Sequence, residues 1–218
     1  MPGSLVTPAF PRPVEVGLRA LVAAALVLIV LSRLSGAIIE PLVPAIAYAV
    51  RLVDPDFVIL DSTVERDQPG MTLLMQANLV APVSYAGRTI YPLGWSAGQP
   101  MGRFEVRLPL RGLLQYSALM FIIALAWPAH GISELVVRLA LCLPLMAALL
   151  FIEAPFTVVA ELSSLVRTQV APDQFNGWLL WSRFLMGGGG LLIAGLCALV
   201  AVGLGRRVVA PGGRPAAA

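Results

Sequence analysis

Four stretches nearly free of charge, at residues 18–39, 113–127, 135–152 and 185–204, dominate this 218-residue chain. A bilayer core about 30 Å thick is crossed by roughly 20 apolar helical residues, so each stretch is a candidate span. Charged residues make up only 12% of the sequence, against roughly a quarter in a soluble domain. Mean hydropathy is +0.85. Such a surface suits lipid better than water. The expected architecture is an α-helical integral membrane protein with about four transmembrane helices, a small β-rich extracytoplasmic insert and interfacial amphipathic helices. The bilayer itself is the first partner this implies.

Between and around the spans the pattern changes. Residues 1–16 hold Pro2, Pro8, Pro11 and Pro13, which predicts an extended tail. A signal peptide is the competing reading of 20–37: a basic start, an apolar run, then Ser35-Gly36-Ala37. Arg33 and the apolar continuation to Ile39 favour an uncleaved span within 17–53. Pro41 and Pro44 bend or restart the chain, and 41–53 has an apolar face (Leu42, Val43, Ile46, Ala47, Val50) fit for an interfacial helix. From Phe57 the period becomes two: Val58, Leu60, Ser62 and Val64 alternate with Ile59, Asp61, Thr63 and Glu65. With the turn signal Asp67-Gln68-Pro69-Gly70 and the β-rich run 71–80, this predicts an antiparallel hairpin. Residues 103–110 alternate again and supply a third strand. The unit at 54–111 is too small for a strong core of its own, and is expected to rest on the interfacial helix and the membrane.

Residues 112–205 then carry three spans. Blocks two and three form a helical hairpin around His130-Gly131, with Glu134 and Arg138 four apart and able to pair at the membrane edge. Glu153-Ala154-Pro155 is expected to end the third block, leaving 156–170 as a separate amphipathic segment, interfacial or re-entrant. Trp178 and Trp181 suit a headgroup belt. The run Gly187-Gly188-Gly189-Gly190 lacks the Lys, Ser/Thr and strand context of a phosphate loop, and predicts close helix packing. Arg206 and Arg207 anchor the last span, with 206–218 a disordered tail.

All fifteen basic residues are Arg, which with abundant Ala, Gly and Pro suggests a GC-rich bacterial source. Arg is scattered without a basic run, so nucleic-acid binding is unsupported. Arg counts near the two membrane faces tie. The short Arg-bearing start and Arg206-Arg207 place both termini in the cytoplasm of a bacterial inner-membrane, multi-pass protein.

Candidate chemistry is sparse. Cys142 and Cys197 lie in apolar blocks and read as small hydrophobes. The single histidine, His130, reads as a solvated turn residue. No spacing suits a metal, and no cofactor or catalytic residue is predicted. One constellation stands out: Arg33, Glu40, Glu153, Glu161 and Arg183 all approach the outer membrane face. Charges there tend to pair, and Arg33 with Glu153, at matched depth, is the expected interhelical pair or partner groove. Separate interfacial anchors are the alternative.

The layout as a whole resembles the exosortase-associated membrane proteins of bacteria, in particular those accompanying the H-type exosortase. The likeness lies in an N-terminal span, a segment ending Leu52-Val53-Asp54-Pro55-Asp56, a short β-rich unit, a helical hairpin, an amphipathic stretch and a last span. Its closest local texture is at 40–56 and 143–166. The exosortase's own Cys, Arg and His set is absent from this chain. The resemblance implies a non-enzymatic accessory subunit for protein sorting or envelope export, with a larger membrane protein as partner. The other class in play is a small membrane enzyme or transporter component acting on a lipid or solute through those charged residues.

Overall fold

Apolar runs of helical period become helices, and runs of period two become strands, in a computed structural model that describes residues 13–67, 70–85, 88–92, 103–170 and 177–209. Helix α1 (Pro13–Ile39) passes through one 3-10 turn, Glu40–Leu42, into α2 (Val43–Val53). Strands β1 (Phe57–Asp67) and β2 (Gly70–Leu79) form a hairpin, and β3 (Val83–Tyr85) with β4 (Arg88–Ile90) a second, smaller one. Strand β5 (Arg103–Pro109) leads into a single turn, α3 (Leu110–Leu113), then α4 (Gln115–Ala126). The rest is helical: α5 (Ile132–Val170), α6 (Gly177–Phe184) and α7 (Gly190–Val209). The expected tails fall largely outside the described residues, although α1 already begins at Pro13 and α7 runs through Arg206 and Arg207.

Three segments are long and apolar enough to cross a membrane: Val14–Val53, Ile132–Thr168 and Gly177–Val209. The sequence predicts four. Its second block instead gives α4, whose 12 residues reach only about 18 Å. Pro128 stops it there, because the residue before a proline is driven from the helical region. Trp127 accordingly sits at φ −69°, ψ 130°. The same effect ends α2 at Asp54, before Pro55.

Pro155 does not behave that way. The expected break after Glu153-Ala154-Pro155 is absent, and 156–170 is no separate amphipathic segment but the second half of α5. A proline in a helix interior costs about 3 kcal/mol. Around it, however, Val158, Val159, Leu162 and Val166 are all buried, at about 1.5–3 kcal/mol each. Burial wins, and the helix continues.

Those side chains belong to one core with Val43, Ile46 and Val50 of α2 and with the inner face of the sheet. The sheet order is β1-β2-β5, antiparallel throughout, with Leu73 opposite Leu108, Met75 opposite Val106 and Ala77 opposite Phe104. Leu73, Met75, Ala77 and Leu79 are all buried. A three-stranded sheet gains stability by burying its apolar face. Here α2 and the second half of α5 cover that face. The apolar face of α2 is therefore covered by protein rather than left for lipid headgroups. The alternation expected for β1 holds only in part. A bulge between Ile59 and Asp61 inserts one extra residue and reverses the faces beyond it. Phe57 and Ile59 point inward before it and Val64 after it, while Leu60 is exposed.

Helix α6 docks on α5 through aromatic rings. Phe156 lies 5.6 Å from Trp178 and 6.1 Å from Trp181, which stacks on Phe184 at 5.4 Å. α1 meets the sheet near its own end, where Ser35 Oγ lies 3.6 Å from Met71 Sδ. The start of α1, the 127–132 turn and the end of α7 thus lie away from the sheet.

Candidate functional site

Two cavities flank the 109–115 turn that joins sheet to helices. The first, of about 400 Å³, opens between β5, the start of α4 and the second half of α5, and Glu105, Arg107, Gln115, Glu153, Thr157 and Glu161 line it. Glu153, Thr157 and Glu161 sit four apart on α5 and so share one face, with the outer carboxylates about 12 Å apart along the axis. Glu105 and Arg107 line the same space from β5, the edge strand of the sheet. Arg107 Nε donates to Glu105 Oε1 at 2.6 Å. Three carboxyl groups and one guanidinium line this cavity, so acidic side chains outnumber basic ones.

Of the five charged residues expected to gather, the structure brings Glu153 and Glu161 together here. Arg33 and Glu40 are exposed on α1 and the 3-10 turn, and Arg183 is exposed on α6. Among the described residues no ion pair joins Arg33 to Glu153. Matched depth does not fix which way a helix face turns, and α5 turns Glu153 toward β5. Glu105 and Arg107 were missed as neighbours because the sequence gives their alternation but not the packing of β5 on α5.

A denser charged cluster closes the opposite end of the bundle. Glu134 and Arg138 do pair, as their i,i+4 spacing predicts, but at 2% and 0% side-chain exposure rather than at an open edge. Arg138 donates to the carbonyls of Trp127 at 2.8 Å and Pro128 at 2.9 Å, supplying donors that the end of α4 lacks. Glu134 accepts from the backbone N–H of His130 at 2.8 Å and faces its Nδ1 at 3.0 Å. His130 is solvated, as expected, yet tied to this carboxylate. Arg206 of α7 approaches Glu134 at 3.6 Å, and a Cβ at Gly205 would lie 2.7 Å from Arg138 Cγ. The α4–α5 turn is thereby clamped to α7. Nothing in the local sequence signals that Arg206 joins it.

The four glycines do two different jobs. Gly188 has φ 121°, a conformation open to glycine, and the π-helical turn Leu185–Gly189 around it joins α6 to α7. A Cβ at Gly190 would lie 2.3 Å from the Tyr116 ring, and one at Gly189 2.4 Å from Phe184. The ring of Phe184, five residues earlier, occupies the space at 189 and the α4 ring of Tyr116 that at 190, while 187 and 188 have open space. Tyr116 Oη, buried in α4, donates to Leu185 O at 2.7 Å across this kink.

Cys142 is buried, Cys197 half-buried, and both are free thiols. Among the described residues no group of three or more His, Cys, Asp or Glu is placed to hold a metal ion. No protein-family model, curated protein or solved structure matches the chain.

Proposed function

We propose that this protein is a non-enzymatic, multi-pass membrane subunit that supports a larger membrane protein in a bacterial envelope sorting or export system. In this reading α1, α5 and α7 cross the inner membrane. The fourth crossing is made by α3 and α4 together, 110–126, about 25 Å of chain in a locally thinned bilayer. Helix length supports it. α5 has 39 residues, about 58 Å, nearly twice the apolar thickness of a bilayer. Its second half, like α2, is the part covered by the sheet, so the sheet stands outside the lipid. Both termini share the opposite side, which Arg19, Arg206 and Arg207 mark as cytoplasmic. Membership of the exosortase-associated group is part of the proposal and rests on the sequence resemblance alone.

One observation carries the partner reading. α1 touches the bundle along a narrow stripe, with Ala23 and Val27 buried, while Leu18, Leu21, Val22, Leu26 and Ile29 are each more than half exposed. One face of α1 is held by α4, and the apolar face left uncovered is free to pack against a second protein. The groups best suited to chemistry are engaged elsewhere: His130 and Glu134 in the clamp, Cys142 in the bundle.

Photo-crosslinking residues placed at Leu21, Val22 and Ile29 test this in cells. They are expected to trap one polypeptide of defined mass, whereas positions Leu192 and Leu196 of α7 trap lipid alone. Absence of any polypeptide adduct from α1 overturns the reading. Reporter fusions at residue 85 and after residue 209 are expected to report opposite compartments, and one shared compartment overturns the topology.

The second reading, a small membrane enzyme or transporter component, is favoured by the acidic cavity holding Glu153 and Glu161. It requires E153A or E161A to abolish an activity while membrane insertion is unchanged.

A further inference from the structure

The second cavity, of about 570 Å³, lies on the other side of the 109–115 turn, between α1, α4 and the tip of the β1–β2 hairpin. Its lining is graded. Leu28 and Leu31 of α1 and Ala118, Leu119 and Ile122 of α4 form the walls distant from the sheet. Ser32, Ser35, Thr72, Arg111 and Gln115 gather toward the sheet. Leu28 lies seven residues before Ser35, and Ile122 seven after Gln115. Each helix thus offers about 10 Å of descent from polar rim to apolar floor. Arg111 is the sole charged residue among the described residues that line the space, and no carboxylate lies within ion-pair distance of it among them. Ser35 donates to a thioether at 3.6 Å, a weak acceptor. The neighbouring cavity, by contrast, carries three glutamates.

We propose that this groove binds one anionic phospholipid of the surrounding bilayer. An acyl chain lies between α1 and α4, and the phosphate sits at Arg111 with the Ser35 and Thr72 hydroxyls and the Gln115 amide around it, the Ser32 hydroxyl being bonded to Ile29 O. Charge complementarity selects the occupant. A cationic rim over an apolar trough matches a negatively charged headgroup, and the cavity across the turn, where acidic side chains outnumber basic ones, does not. Gly36 helps form the site: a Cβ there would lie 2.7 Å from Met71 Sδ, so glycine lets the hairpin tip rest on α1 and roof the groove. The inference rests on the helices lying in lipid, and goes beyond the accessory role.

The test uses the full chain in mild detergent with added phosphatidylglycerol or phosphatidylcholine, read by native mass spectrometry. One phosphatidylglycerol per chain is expected to be retained about tenfold better than phosphatidylcholine, the scale of one charge-assisted hydrogen bond. R111Q is expected to lower phosphatidylglycerol retention to the phosphatidylcholine level. S32W, at an exposed lining position, is expected to exclude both lipids, with the melting temperature reporting that the variant is folded. Equal retention of the two lipids by the wild-type chain, unchanged retention by R111Q, or lipid still bound to folded S32W overturns the site. Carbonate extraction of the wild-type chain from vesicles overturns the membrane reading and the site with it, whereas loss of lipid preference alone overturns the site only.

Discussion

Removing the carboxylate of Glu134 is expected to be among the most damaging single changes in this chain. Glu134→Gln leaves the Arg138 guanidinium, at 0% exposure, facing neutral acceptors: the carbonyls of Ala124, Trp127 and Pro128 and the new amide. Breaking one member of a buried ion pair costs about 3–5 kcal/mol. Water is one side chain away, since His130 is 81% and Arg206 44% exposed at the same carboxylate. The lower end of that range, about 3 kcal/mol, therefore applies. For a chain of this size it lowers the melting temperature by roughly 6–12 °C. Thermal unfolding in mild detergent, followed by tryptophan fluorescence, measures it. The double variant E134L/R138M removes both charges and fills the space with apolar atoms, so it is expected to melt near the wild type. A single variant as mild as an average surface change, or a double variant as damaged as the single, refutes the assignment of a buried clamp.

Gly190→Ala drives a methyl into the Tyr116 ring and is expected to destabilise by about 1–3 kcal/mol, whereas Gly187→Ala, with open space around it, is expected to leave the melting temperature unchanged or raised. Y116F removes the hydrogen bond to Leu185 O and is expected to cost about 0.5–1.5 kcal/mol by the same melt. The bulge in β1 predicts that L60A is nearly neutral while L73A, at a fully buried position, costs about 2–5 kcal/mol in denaturant unfolding. Burial raises the Asp54 carboxyl above its ordinary pKa, against the opposing hydrogen bond from the Asp56 N–H. A raised value means that the fold favours the neutral form, so stability contributed at low pH is lost as pH rises through the shifted pKa. D54N is therefore expected to melt above the wild type at neutral pH, with the gap closing on acidification below the ordinary carboxylate range.

Much of this arrangement is written in short-range pattern. The β-rich run 71–80 behind its turn signal and the alternation at 103–110 are enough to place β2 and β5, because a half-buried strand repeats every two residues. The Glu134–Arg138 pair follows from helical spacing alone. What pattern did not reveal is wherever a distant partner decides the outcome. Pro155 reads as a stop until the sheet is seen covering Val158 and Leu162. The bulge at Leu60 is invisible because an extra residue leaves the composition of β1 intact. Arg33 and Glu153 match in depth, yet the azimuth of each helix, set by packing against α4 and β5, separates them. Arg206 reads as an end anchor because only the crossing of α7 over the 127–132 turn brings it to Glu134.

The unbroken passage of α5 through Pro155 has a mechanical consequence. Its first half lies among the apolar helices and its second half is glued to the strands, with no loop between them to act as a joint. A change of tilt in the first half is therefore expected to carry the strands with it, and any bending between the two to fall at the turns around Pro144 and Pro155.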